Sequence, residues 1–170
     1  MIRFRQAGHS AVPDVLALLD GATAWLVARG RSDQWGTEPH SANPRRIEQI
    51  TGFADDGGLW LAEDDGRVVG ALAVGTAMPY VPPATEPELY VRLLVTDRAS
   101  SGQGIGAALL DHARSLARAA GVGMLRVDCF AGGDGALIRY YEQQGFTRDV
   151  AFAVPVNGSE WPGQVLVQRL

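Results

Sequence analysis

Apolar and polar positions alternate through LYVRLLV, and the pattern predicts a strand whose Leu89, Val91, Leu93 and Val95 share one face. The period then changes. Ile105, Leu109, Ala113 and Leu116 recur at helical spacing, which predicts a helix opening beside Gly102, Gly104 and Gly106. The same two periods organise the rest of the chain. Ile2 to Gln6 reads as a strand. Val12, Val15, Leu16, Leu19, Trp25 and Leu26 mark a helix ending near Gly30, with Gly21 weak enough in its middle to allow a break. A loop, RSDQWGTEPHSANP, leads to a second helix from Arg45 to about Ala54. Leu59 to Glu63 and Arg67 to Val74 form a hairpin across Asp64-Asp65-Gly66, and Gly75 to Pro87 is a proline-rich loop. Met124 to Asp128 reads as a strand and Ala136 to Gln144 as a helix capped by Gly145. Phe146 to Pro155 and Gln164 to Leu170 are expected as two final strands, joined by a loop bearing Pro and Gly. The order implies an α/β (α+β) fold: one mixed central sheet of about seven strands flanked by about four helices, in a single domain over residues 1–170.

Composition narrows the function. The 170 residues are 46% hydrophobic and 20% charged, ordinary for a globular chain with a full core. A formal net charge of -4 does not suggest a nucleic-acid partner. All the basic residues other than histidine are Arg, so a P-loop, which needs a Lys after its glycines, is excluded. The single cysteine, Cys129, permits no internal disulfide and leads to an expected cytoplasmic setting. MIRFRQAGHS does not read as a signal peptide. No apolar run approaches the roughly 20 residues of a membrane span, so no membrane partner is expected. His9, His40 and His112 lack ligand spacing, so no metal is expected, and His112 reads as a surface residue of its helix.

Chemistry concentrates at the glycines. Their backbone comes close to a ligand, and the start of a helix adds unpaired N–H groups and the positive end of its dipole. Together these make a seat for a phosphate-bearing ligand. A dinucleotide-binding turn fits the spelling through Gly102, Gly104 and Ala107, with Asp128 ending the next strand. Against it, TDRASS intervenes between strand and glycines, and too little chain follows for the remainder of such a domain.

The stretch LLVTDRASSGQGIGAALLDHARSLA resembles the acetyl-CoA loop of the GNAT superfamily of N-acetyltransferases, whose pattern is Gln/Arg-x-x-Gly-x-Gly/Ala. Ser101-Gly102-Gln103-Gly104-Ile105-Gly106 matches at both glycines, with Ser101 where Gln or Arg is expected; Arg98 is a candidate stand-in. A second block, Tyr140-Tyr141-Glu142-Gln143-Gln144-Gly145-Phe146, is similar to the family's Tyr-Glu-x-x-Gly-Phe segment. The resemblance implies a sheet splayed after its fourth strand. It also implies a pyrophosphate held by backbone amides from Gly102 and Gln103 through Gly104, Ile105 and Gly106 to Ala107, and a thioester carbonyl polarised by an N–H near Leu94 or Val95. Tyr141 would protonate the departing thiolate. Tyr140, about 100° round the helix, would face elsewhere. Glu88 would be the base, unless it is a solvated strand-end charge or pairs with Arg92, which would weaken it as a base. Glu86 is a weaker alternative. Asp134 would contact the pantetheine or cap the following helix. Cys129 reads as a small buried hydrophobe.

In that family the first helices and their loops shape the acceptor pocket. Here they offer Trp25, Arg29, Arg31, Asp33, Gln34 and Trp35, with Tyr80 from the proline-rich loop. Either tryptophan could instead pack helix onto sheet. Asp33 suits a cationic amine, and Arg29 and Arg31 suit a carboxylate. The expected activity is transfer of an acetyl group from acetyl-CoA to a primary amine of a small molecule. The alternative is a non-catalytic acyl-CoA-binding sensor. The late strands could pair two copies into a homodimer.

Overall fold

The computed structural model describes all 170 residues. Seven strands and four α-helices follow the expected order: β1 (Ile2–Gln6), α1 (Val12–Ala28), α2 (Pro44–Asp55), β2 (Leu59–Asp64), β3 (Arg67–Gly75), β4 (Leu89–Thr96), α3 (Ile105–Ala119), β5 (Met124–Phe130), α4 (Ala136–Gln143), β6 (Thr147–Val156) and β7 (Ser159–Arg169). They form one mixed sheet in the order β1-β2-β3-β4-β5-β7-β6. Of its neighbouring pairs only β4 and β5 are parallel.

Two cores lie on the two faces. Val15, Leu16 and Leu19 of α1 and Ile50 and Phe53 of α2 pack on Leu59, Leu61, Ala71 and Ala73. Ile105, Leu109 and Ala113 of α3 and Ile138 and Tyr141 of α4 cover Leu72, Val91, Leu125, Val127 and Leu166. Helix α1 runs unbroken through Gly21, which sits on its exposed side, because burial of the opposite face outweighs one glycine's propensity cost. With the short turn before it, α1 makes a helical run of 20 residues from His9 to Ala28, with a mean hydropathy of 1.5 over 18 of them. By length and composition that suffices to cross a membrane, which corrects the expectation that no stretch comes near it; here its apolar side is the sheet's cover.

The central strand departs from simple alternation. Ala73 pairs with Leu93 and Val74 with Val91, so Arg92 is an extra residue, a β-bulge, in β4. The side chains change faces there. Val91, with Leu89 against it, joins the α3/α4 core, whereas Leu93 and Val95 join the α1/α2 core. The expected single face Leu89–Val91–Leu93–Val95 is thus cut in two. At the same place β4 leaves β5: their pairing runs from Leu89↔Leu125 to Val91↔Val127 and stops. The sheet splays from there on, since a bulge bends its strand and raises its twist.

A buried ion pair ties the two strands just below the opening. The Arg126 guanidinium grips both carboxylate oxygens of Glu88, one at 2.8 Å, and also donates to the Pro82 carbonyl. The Arg126 side chain is 3% exposed and that of Glu88 12%. The expected Glu88–Arg92 pair does not form. The bulge turns Arg92 towards α2, where it lies over the Phe53 ring at 4.5 Å and meets Asp56 at 3.2 Å.

Three local expectations are also corrected. The last hairpin turns on Asn157-Gly158, both at positive φ, so β7 starts earlier, at Ser159, and Pro162 and Gly163 lie within it rather than in a loop. Tyr140 reaches the glycine loop, as described below. His112 is not a surface residue: it stacks on Phe4 at 4.4 Å and meets Trp60 edge-on at 4.5 Å, and burial lowers its pKa.

Replacing Glu88 with Ala strands the Arg126 cation, and chemical denaturation is expected to show a loss of about 3–5 kcal/mol. His40 supplies a pH test. It is buried between Thr23 and Arg46, and burial lowers its pKa from 6.5 to about 4. The unfolded chain therefore binds a proton that the folded one refuses, and stability falls as pH drops from about 6.5 towards about 4. A His40→Gln variant is expected to lose that part of the slope in denaturation curves taken across this range.

Candidate functional site

The loop after β4 leaves its backbone donors unspent. No N–H from Gly102 to Ala107 donates to an acceptor of the chain; the first one bonded is Ala108, to the Gly104 carbonyl. Gly102 and Gly104 hold φ of 81° and 74°, the left-handed region in which glycine carries no penalty. Gly104 is also the N-cap of α3 and supplies no side-chain acceptor. The row of amides thus adds to the positive helix end, an arrangement suited to a diphosphate. A Cβ on Gly106 would stand 2.3 Å from the Tyr140 hydroxyl, so Tyr140 packs directly on this first turn. Ser101 is met by Arg98, whose guanidinium lies 3.4 Å from the Ser101 hydroxyl and 3.8 Å from the Trp25 ring centroid. Arg29 lies over the same ring at 4.0 Å. Trp25 therefore serves as a platform for two guanidiniums near the loop.

The gap begins where this loop's strand leaves β5. The Asp97 N–H donates to Val69 on β3, and in an antiparallel pair residues two apart point the same way. Val95 therefore turns its N–H towards β3, and Leu94 turns its own into the gap. Of the two backbone donors expected here, only Leu94 is open to a ligand.

The two faces of the gap differ. On the α3/α4 side are Leu94, Cys129 and Tyr141. The Tyr141 ring is held edge-on by Phe146 at 5.7 Å and Tyr140 at 5.4 Å. Burial raises its phenol pKa, with Cys129, Tyr140 and Asp128 adding to the effect. Cys129 is buried, and its thiol is pushed up to about 12, chiefly by desolvation, so it is no thiolate nucleophile.

On the opposite face stands Asp128, which sequence reasoning did not single out for this chemistry. Tyr90 donates to its Oδ2, and the Tyr80 hydroxyl lies 3.4 Å from Oδ1. Burial raises its pKa above the ordinary carboxylate value, and the two phenols and Arg126 act against that rise. From Tyr80 runs a chain of rings: Tyr80–Phe152 and Phe130–Trp161 are each 5.4 Å apart, and Phe152–Trp161 6.3 Å. The signal available in the sequence was one acid inside the apolar run of Met124–Phe130. Glu88, in contrast, has both oxygens on Arg126.

Asp134 has the geometry of a helix cap. Its carboxylate accepts from the Ala136 N–H at 3.0 Å, which is the main cause of its lowered pKa, and meets Arg31 at 3.5 Å. The segment after α1 thereby crosses to the far side of the splay, where the Gln34 carbonyl also accepts from the Trp161 indole at 2.8 Å. Trp35 packs against the α1/α2 core and meets His40 edge-on at 5.4 Å. Of the expected acceptor residues, Tyr80 lies at Asp128. Arg31 and Gln34 are engaged in bridging the splay, Trp35 is structural and Trp25 sits by the glycine loop.

The sequence profile of the acetyltransferase (GNAT) family matches residues 22–146. A mycothiol acetyltransferase from Beutenbergia cavernae is 35% identical over 129 residues, covering 73% of this chain and 40% of that protein, so the match takes in less than half of the relative's length. Among solved structures, a ribosomal-protein-alanine N-acetyltransferase from Brucella melitensis superposes with a TM-score of 0.72 at 22% identity over 99% of each chain. A Salmonella typhimurium protein solved with its cofactor acetyl-CoA gives 0.67 at 17% identity, over 99% of this chain and 93% of that one. At such identities the structures establish the shared fold, and the profile match establishes descent: the chain belongs to the GNAT family of acetyltransferases.

Proposed function

We propose that the protein transfers the acetyl group of acetyl-CoA to a primary amine of a small molecule by direct attack on the thioester. The observation that carries this reading is the run of unspent amides from Gly102 to Ala107 at the mouth of a gap that leads to Tyr141. The amides and the α3 dipole receive the diphosphate. The Leu94 N–H is available to polarise the thioester carbonyl, the interaction that gains most as charge develops on oxygen. Tyr141, protonated at any working pH because burial raises its pKa, gives its proton to the leaving sulfur. Arg98, seated on Trp25 beside Ser101, brings to the loop the cation that its first position lacks. A non-catalytic acyl-CoA sensor is the second reading, favoured by the locking of Glu88 on Arg126.

Coenzyme A is expected to raise the melting temperature, and acetyl-CoA with an amine panel is expected to release thiol. Tyr141→Phe should lower kcat about 10²- to 10⁴-fold while coenzyme A binding is kept; an unchanged rate at every pH removes the assignment. Gly104→Val forces a β-branched residue to positive φ and should raise KM for acetyl-CoA without a matching loss in kcat. Coenzyme A binding with no thiol release on any amine would favour the sensor.

A further inference from the structure

Arg46 is a cation without a counter-ion. Its guanidinium donates through Nε to His40 Nδ1 at 3.1 Å and through Nη1 to Gln49 Oε1 at 2.6 Å, and both acceptors are neutral. No carboxylate lies within salt-bridge distance of it. His40 cannot share the charge, since its Nε2–H is committed to Thr23 Oγ1 at 2.8 Å and its Nδ1 must remain an acceptor. Arg46 is partly buried, and desolvation lowers its pKa with only Tyr80 opposing. A desolvated, hydrogen-bonded guanidinium with no acid beside it is prepared for an anion that the chain itself does not provide.

The group that feels Arg46 is Tyr80, and Tyr80 is also the group that reaches Asp128. Tyr80 thus neighbours both Arg46, which has no counter-ion, and Asp128, which has no salt-bridge partner. Asp128 is an anion of the opposite need. It accepts from Tyr90 and Tyr80 and has no salt-bridge partner, and the Tyr80 ring continues into a chain of rings through Phe152 and Trp161 to Phe130. A carboxylate held by two tyrosines, one of them opening onto a row of aromatic rings, favours an ammonium, through charge and cation–π attraction together.

We infer that Asp128 receives the acceptor's ammonium and Arg46 holds an oxyanion on the same molecule, so that the acceptor is a small zwitterion, a primary amine that also carries a carboxylate or a similar acid. The inference rests on the acetyl-transfer reading above and names its base and its substrate class. The ammonium gives one proton to Asp128. The freed nitrogen attacks the thioester carbon; a C–N bond forms, the C–S bond breaks, and the sulfur takes a proton from Tyr141. Of the three ammonium protons one stays in the amide, one replaces the Tyr141 proton and one leaves Asp128 for solvent. The titratable groups that face Asp128 are Tyr80, Tyr90 and Arg126 on its own side and Tyr141 and Cys129 behind it; of these only Arg126 is charged.

The test uses the full chain, acetyl-CoA, and ω-amino carboxylic acids of increasing length set against n-alkylamines of the same lengths. The wild type is expected to prefer one or more of the acids over the matched amine by at least about 10-fold in kcat/KM. Arg46→Gln should raise KM for those acids about 10- to 100-fold, leave kcat near its wild-type value and leave the alkylamines unaffected. Asp128→Asn keeps the shape and the Tyr90 bond. It should lower kcat about 10²- to 10⁴-fold and move the acidic limb of the pH profile up towards the ionisation of the amine itself, and Asp128→Glu should restore part of both. Alkylamines that match or beat the acids, or an Arg46→Gln loss equal for both series, overturn the zwitterion. An acidic limb that stays at its wild-type position in Asp128→Asn overturns the base. Melting shifts produced by the amino acids in the presence of coenzyme A provide a readout independent of turnover. Shifts that vanish in Arg46→Gln with no thiol release from any acceptor refute acetyl transfer and leave the binding assignment standing; shifts that persist unchanged refute the binding assignment.

Discussion

The separation of β4 from β5 is the constraint on which the site depends. Parallel neighbours that share ladder hydrogen bonds have no room between them, and these two share them only from Leu89 to Val91. Beyond that point the open edge of β4 holds a free donor at Leu94, and its end delivers the chain into a loop of unbonded amides. The extra residue at Arg92 sets the place of the parting, because a bulge adds local twist that the straight partner strand does not follow. The Glu88–Arg126 pair closes the strands immediately below it. An ion pair so deeply buried adds little net stability, but it holds one register at the hinge of the splay.

A gap through a sheet joins two faces that are otherwise insulated from each other. Tyr141 and Cys129 belong to the core under α3 and α4, whereas Tyr90, Arg126 and Asp128 lie on the side of α1 and α2. Asp128 nevertheless contributes to the raised pKa of the Tyr141 phenol, so the two groups act on each other across the opening. On the proposed chemistry, one face supplies the acid and the other the base, and neither can neutralise the other by direct contact. The segment after α1 spans the same opening from outside, through Arg31 to Asp134 and the Gln34 carbonyl to Trp161. The first of these contacts is exposed and long, which makes it a weak latch.

The glycine-loop departure at Ser101 has a structural counterpart. A guanidinium still approaches the loop, from Arg98, and it is positioned by the flat face of Trp25 rather than by its own place in the loop. Arg29 lies over the same ring, so two cations stand near the glycine loop, neither in a salt bridge. Trp25, considered for the acceptor pocket from its place in the first helix, thus belongs beside the cofactor loop.

The order of elements, the glycine loop and the two family blocks were legible in the sequence because each is local: a period of apolar residues, or a backbone shape that only nearby glycines permit. Burial of Cys129 was expected from its residue type, and it is buried. The bulge was not legible, since two residues facing one is a property of pairing with β3, and LYVRLLV alternates as well in either register. The partners of the charged residues were hidden for the same reason. Glu88 and Arg126, or Tyr80, Tyr90 and Asp128, lie far apart along the chain and meet only because β4 and β5 are neighbours. Sequence alone determined which groups were available, and tertiary structure decided which were already spent on one another and which stayed free for a ligand.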